Sequence, residues 1–312
     1  MNEVERSIDQ TVDIDTSLDD LSSILDWVRW CTSQMSEHQV YFGHGTDNPW
    51  DESVALVLQS LQLPFDYPSE LYSARLTKSE KTRIIDFLKQ RIEQRKPLAY
   101  ITNQAYFHGL PFYVDDRVLV PRSPISELIE ARFEPFIDAQ QVDSILDLCT
   151  GSGCIAIACA TEFEEAFVLA SDISIEALEV AQINVEQHEL EERVGLIQSD
   201  VFAGIPNQQF DIIVSNPPYV DAEDLADMPL EYHSEPEIGL GSGLDGLDIT
   251  RQILREASEF LTENGVLIVE VGNSWPALQE AYPDVDFQWL EFERGGDGVF
   301  LLTRDQLLEH SF

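Results

Sequence analysis

The sequence predicts an α/β fold, a mostly parallel, doubly wound sheet preceded by a small helical domain, on three observations. From about residue 144 onward, short apolar runs with strand character alternate with segments at helical spacing, which is the pattern of right-handed crossovers. The first 95 residues carry apolar positions at three- and four-residue steps together with helix-capping signals. Between the two lies a stretch of short β-prone pieces broken by Asn, Gly and Asp. The chain of 312 residues has room for roughly two domains, and its 44% hydrophobic and 24% charged content is ordinary globular usage.

Taken in order, Leu21, Ile24, Leu25, Val28, Cys31 and Met35 predict an amphipathic helix from Leu18, with the residues before it frayed. Asn48-Pro49 reads as a cap with proline at the first helical position, opening a helix over residues 54–61. Thr77 and Glu80 form a capping box, and Ile84, Ile85, Leu88 and Ile92 give one apolar face to a helix ending near residue 95. Residues 98–101, 105–107, 111–114 and 118–120 are the β-prone pieces, read as a hairpin-like connector. After Ser123-Pro124 a helix is expected to about residue 138. Strands follow at 144–148, 167–171, 194–198, 210–215, 266–271, 287–292 and 298–303, with helices at 153–161, 175–187 and 249–261. The last two strands flank Gly295-Gly296-Asp297 and predict a closing antiparallel hairpin. The domain boundaries that result are 1–96, 97–122 and 123–312.

Charge and cysteine content exclude several functions. With 58 acidic against 18 basic residues the net charge is −40, so the lysines and arginines that hold nucleic acid through its phosphates are in short supply. The acidity suits solubility, adaptation to salt, or attraction of a basic protein partner. All the lysines lie in a basic patch at residues 75–96, read as a solvated face neutralising nearby acids in preference to a binding surface. Cys31, Cys149, Cys154 and Cys159 form no C-x-x-C pair and no metal-type spacing with histidine, so no metal is expected. Glu3, Glu5, Asp9, Asp13, Asp15, Asp19 and Asp20 are the opposite of a basic secretory leader. The richest apolar run, residues 154–160, falls far short of the roughly 20 residues of a membrane span. A cytoplasmic location is expected.

The first constellation runs from residue 145 to 156: a buried strand, then Thr150-Gly151-Ser152-Gly153, then a helix start. Such a turn lets a ligand approach the backbone, and the unpaired N–H groups beyond it favour an anionic group. Asp172, at the end of the next strand, is placed to accept hydrogen bonds from two ribose hydroxyls. Asp200 ends the third strand, where it can accept from an adenine amino group with Ile173 and Val201 on either side of the ring. The turn also satisfies G-x-G-x-x-A, so a nicotinamide dehydrogenase stays open on these residues alone.

The second constellation, Asn216-Pro217-Pro218-Tyr219, follows the fourth strand directly. Two prolines remove two N–H donors and fix the backbone, so the Asn216 side-chain carbonyl and the Pro217 main-chain carbonyl can point to one place. Paired acceptors hold a planar –NH2 group by its two hydrogens, and Tyr219 can cover it.

Those residues resemble the Asn/Asp-Pro-Pro-Tyr family of class I S-adenosylmethionine-dependent methyltransferases, Rossmann-like enzymes that modify planar amino groups. The family includes DNA adenine and protein-glutamine methyltransferases, and the charge favours the latter. The resemblance extends from about Pro97 to the end, through residues 97–101, 120–125, 147–153, 216–219 and 270–273, and is closest to the HemK-related glutamine methyltransferases. Ser123 and Cys149 depart from the branch that acts on peptide chain release factors, which has Pro-Arg-Pro-Glu and Gly there. They favour the branch that acts on ribosomal protein L-three. The resemblance implies S-adenosyl-L-methionine as cofactor, with Gly151–Gly153 and Thr150 at its methionine part, Asp147 near its amino group, Asp172 at the ribose and Asp200 at the adenine. It further implies Asn216, Pro217, Pro218 and Tyr219 at the substrate amide, with Phe107 and the Pro121-Arg122 turn lining the mouth. A basic ribosomal protein is the expected partner, bound by the helical N-terminal domain. A non-catalytic ribosome-assembly module remains as an alternative, supported only by the basic helix.

Overall fold

The computed structural model describes residue 12, residues 20–310 and residue 312. It divides into two compact units, residues up to Gln104 together with Pro229–Ser234, and Ala105–Met228 together with Glu235–Phe312. Neither boundary expected near the connector coincides with this division. The expectation of fraying before Leu18 lies outside the described residues.

The first unit is helical. Helix α1, Ile24–Glu37, begins at Ile24 rather than Leu18, because Ser23 and Asp26 form a capping box that sets its start. Helix α2, Pro49–Ser60, is capped by Asn48, whose side chain accepts from the Asp51 N–H. Helix α3, Lys78–Glu93, carries the Thr77–Glu80 capping box. Trp27, Val28, Cys31, Leu56, Ile84 and Leu88 belong to its core. The basic patch is partly internal. Arg91 is 1% exposed and pairs with Glu52 and Glu231, Arg95 also reaches Glu231 at 3.2 Å, and Arg83 donates to the Ser60 carbonyl at 2.7 Å. Helix α4, Leu98–Thr102, corrects the β-prone reading of 98–101. Its Leu98, Ala99 and Tyr100 are buried, so apolar content there reflects packing and not strand pairing.

The second unit opens with a hairpin, β1 Ala105–Phe107 and β2 Leu110–Phe112. Helix α5 spans only Ile125–Glu130. The chain leaves it through two consecutive left-handed residues, Arg132 (φ 52°) and Phe133 (φ 56°), so the expected run to residue 138 is cut short. The alternating part follows as β3 Ser144–Leu148, α6 Cys154–Glu162, β4 Phe167–Asp172, α7 Ile175–Gln187, β5 Val194–Gln198, β6 Phe210–Ser215, α8 Ala222–Asp227, α9 Asp248–Phe260, β7 Leu261–Glu270, α10 Trp275–Ala281, β8 Gln288–Trp289, β9 Val299–Thr303 and α11 Arg304–Glu309.

The sheet order is β5-β4-β3-β6-β7-β9-β8, parallel through β7 and antiparallel at β9 and β8. The closing hairpin is present, although its first strand is two residues long rather than six. Alternate side chains divide the core. Ile145, Ile212 and Ile268 face the layer that includes α6 residues, and Leu146, Ile213 and Leu267 the layer that includes α9 residues. This is a doubly wound, mostly parallel α/β arrangement that closes on an antiparallel pair. The strand order reverses between β3 and β6, and the crevice at their carboxyl ends is where ligands bind in open α/β sheets.

Candidate active site

Leu148 and Ser215 are register partners at the ends of β3 and β6, and the Ser215 hydroxyl donates to the Leu148 carbonyl at 2.9 Å. The glycine turn and the Asn216 tetrapeptide therefore start side by side. In the turn, Gly151 and Gly153 have φ of 54° and 80°. A Cβ at Gly153 would press on Ala181 at 3.3 Å, whereas one at Gly151 would meet nothing within 4 Å. Gly153 is thus required for helix packing and Gly151 fronts open space.

Asp147 is fully buried. Its Oδ2 accepts from Thr150 Oγ1 at 2.5 Å and the Ala156 N–H at 3.1 Å, while its Oδ1 has no hydrogen-bond partner. Burial pushes its carboxyl up to about 7, against the pull of those donors. Asp172 accepts from the Gly151 N–H and the Ser174 N–H, both at 2.9 Å, which ties the end of β4 to the turn. Burial raises its carboxyl too. Ile173 beside it is 48% exposed. Past β5, Asp200 is exposed and Val201 is held at φ 47°, an unfavourable region for a β-branched residue. Ser199 fixes that loop, donating to the Val201 carbonyl at 2.7 Å and accepting from the Gly204 N–H at 2.8 Å. Local backbone strain of this kind is common beside ligands.

Asn216 is half-buried and Pro217 buried. The Asn216 Nδ2 donates to the Arg122 carbonyl at 3.5 Å, so the amide is turned with Oδ1 away from that turn. Arg122 is itself fixed by a two-pronged pair to Glu235, at 2.8 and 2.7 Å, and the same carboxylate accepts from the Val120 N–H. Tyr219 donates its hydroxyl to Glu270 Oε1 at 3.1 Å, and Ser123 donates to Glu270 Oε2 at 2.5 Å. Burial pushes the Glu270 carboxyl up to about 7, opposed by these two donors and by Arg122.

Relatives decide what such a site belongs to. The family model for the methyltransferase small domain matches residues 133–230. A protein of Francisella tularensis subsp. tularensis named ribosomal protein uL3 glutamine methyltransferase is 52% identical over 94% of this chain and 94% of its own. One of the same name from Neisseria gonorrhoeae is 49% identical over 93% of this chain and 97% of its own. The chain belongs to the ribosomal protein uL3 glutamine methyltransferase family. Among solved structures, a methyltransferase from Pyrococcus furiosus is 20% identical, with a TM-score of 0.44, covering 63% of this chain and 89% of that one.

Membership makes the enzyme an S-adenosylmethionine-dependent methyltransferase and closes the dehydrogenase reading that the glycine turn left open. The residues present fit that cofactor. The orphaned Asp147 Oδ1 suits an ammonium group, the open space at Gly151 suits a chain lying along the turn, and Asp172 keeps lone pairs for hydroxyls. Thr150 donates to Asp147 and the Gly151 N–H to Asp172, and Asn216 directly follows the neighbouring strand.

Phe107 is 5% exposed within the core that includes Phe112, Ile125 and Ile129, because strand alternation turns it inward and leaves Tyr106 44% exposed. Sequence reasoning also missed Glu235 and the roles of Glu270, Ser123 and Asn184. Glu270 had a signal, a lone acid closing the apolar run Val266-Leu267-Ile268-Val269. Asn184 had one as well, a lone amide on the helix face that otherwise buries Ala177, Val180, Ala181 and Val185.

Proposed function

We propose that this enzyme transfers a methyl group from S-adenosyl-L-methionine to the side-chain amide nitrogen of a glutamine in ribosomal protein uL3, the L-three protein of the large subunit. The observation that carries the reading is the Asn216 amide, whose nitrogen is occupied by the Arg122 carbonyl and whose oxygen is thereby left to an incoming donor. A carboxamide is such a donor. The names of the two relatives point to uL3 as the protein that carries it.

When bound, the cofactor supplies an electrophilic methyl group. The chain's part is to place the nucleophile. Thr150, Gly151, Ser152, Gly153 and Asp147 hold the methionine end, Asp172 the ribose, and Asp200 with Ile173 and Val201 the adenine. Asn216 Oδ1 and the Pro217 carbonyl accept both N–H groups of the glutamine amide, Pro218 keeps the backbone fixed, and Tyr219 covers the planar group. An amide nitrogen is a poor nucleophile, so alignment rather than a strong base drives the reaction. The two acceptors stabilise positive charge as it grows on nitrogen, and the surplus proton leaves to water.

The helical unit, with residues 1–96 as its main part, is assigned to recognition of the protein substrate, residues 97–122 to the connection, and residues 123–312 to methyl transfer. A net charge of −40 favours a basic ribosomal protein over duplex DNA. No helix among the described residues is long and apolar enough to cross a membrane, and a ribosomal-protein substrate supports a cytoplasmic location.

Incubation with methyl-labelled donor and, separately, purified uL3, a peptide chain release factor and duplex DNA tests the reading. Label is expected in uL3, and Asn216→Ala should cut it by at least about 100-fold, roughly 3 kcal/mol, with donor affinity changed only a few-fold. Label in another acceptor instead, or in none, overturns it.

A further inference from the structure

Methyl transfer as described has no task for Glu270, yet Glu270 is 4% exposed at the end of a central strand. A buried carboxylate costs more than an apolar residue of similar size unless its partners need it. Its partners are informative. One oxygen accepts the Tyr219 hydroxyl and the other the Ser123 hydroxyl. Ser123 follows Arg122, whose carbonyl orients Asn216, and Ser215, the residue before Asn216, pairs in register with Val269, the residue before Glu270.

The residues after Glu270 hold the same tyrosine elsewhere. Ser274 Oγ donates to the Tyr219 carbonyl at 2.7 Å. Gly272 lies so near the ring that a Cβ there would stand 2.5 Å from it, and at φ 44°. Tyr219 is therefore gripped at its hydroxyl, its ring edge and its backbone by one segment. The carboxyl of that segment, pushed up by burial, is retained where a neutral side chain would cost less.

We propose that Glu270 is a positioning residue for the acceptor amide, fixing through the Tyr219 and Ser123 hydroxyls the two supports, ring and turn, between which that amide must lie. The inference deepens the glutamine-transfer reading and rests on it. Glu270 touches neither substrate nor cofactor. It acts by holding Tyr219 and the 122–123 turn in one arrangement, so its removal loosens the acceptor side and spares the donor side.

The test uses the full chain as wild type, Glu270→Ala, Glu270→Gln, Ser123→Ala, Tyr219→Phe and the Glu270→Ala/Tyr219→Phe pair, each measured for kcat and KM with uL3, for donor affinity, and for Tyr219 ring flipping by NMR of ring-labelled protein. Glu270→Ala should lower kcat/KM by about 100-fold with donor affinity within about threefold, and Glu270→Gln, which still accepts from Tyr219, should recover to within about tenfold of wild type. In the Tyr219→Phe background Glu270→Ala should cost far less, because one of its two supports is already gone. Ring flipping should quicken at least about tenfold in Glu270→Ala. If that variant does not fold, Ser123→Ala decides, with a smaller loss of kcat/KM and unchanged donor affinity. Activity within about threefold of wild type in Glu270→Ala (or in Ser123→Ala, where that variant decides), parallel loss of donor affinity, or full additivity with Tyr219→Phe would overturn the proposal. The ring measurement needs no acceptor. A wild type that restrains its ring but does not methylate uL3 would therefore overturn the function reading, on which the acceptor role rests, while leaving the hold of Glu270 on Tyr219 in place.

Discussion

Asp147 and Glu270 are two carboxyls that burial pushes up to about 7, and each stands at one side of the proposed reaction. A folded-state value above the unfolded one means that the folded protein keeps a proton that the unfolded chain has already released. The stability that Glu270 contributes is therefore full below about 4.5, its ordinary value, and is lost as pH rises through about 7. Glu270→Gln removes that dependence. Measured against wild type, the variant should gain on the order of 3 kcal/mol in relative stability between pH 4.5 and pH 8, read as the change in the difference of denaturation midpoints. A difference that does not vary with pH would contradict the assignment. At this scale the sequence exposes what is local. The Thr150–Gly153 turn and the Asn216–Tyr219 tetrapeptide each fix their geometry within a few residues. The Ser123–Glu270 and Tyr219–Glu270 bonds span 147 and 51 residues and depend on which strand ends become neighbours.

Helix α7 shows how an element far from both motifs shapes the cofactor side. Its Asn184 is fully buried, accepts from the Tyr113 N–H at 2.7 Å, and donates to the Tyr113 carbonyl at 3.0 Å and the Ser152 carbonyl at 2.8 Å. One side chain thus ties the segment after the β-hairpin to the glycine turn. Asn184→Ala would leave those buried groups unpaired, at about 1–3 kcal/mol each. We expect a lowered thermal midpoint and donor affinity reduced about tenfold or more, measured by calorimetric titration, with KM for uL3 little changed. Capped helices and long buried strands were legible because their signals recur over many residues. The short elements were not. Apolar residues at 98–101 serve a helix as well as a strand, and the end of α5 is set by the left-handed pair Arg132 and Phe133, which no apolar periodicity announces.

The whole molecule carries its charge of −40 unevenly, with basic residues drawn into the helical unit, where Arg91 and Arg95 neutralise Glu52 and Glu231. What remains outside is strongly acidic, a field that would steer a basic protein toward the enzyme. Raising the salt from about 0.05 M to about 0.5 M shortens the range of that attraction and should raise KM for uL3 several-fold with kcat little altered. A salt-independent KM would make the acidity a matter of solubility alone. The account as a whole depends on two oxygens, those of the Asn216 side chain and the Pro217 backbone. The most direct measurement is a crystal structure of the enzyme with S-adenosylhomocysteine and a glutamine peptide from uL3. It should show the peptide's carboxamide nitrogen about 3 Å from both oxygens, its open face toward the sulfur. A carboxamide bound elsewhere, or those oxygens facing away from the donor pocket, would contradict the account.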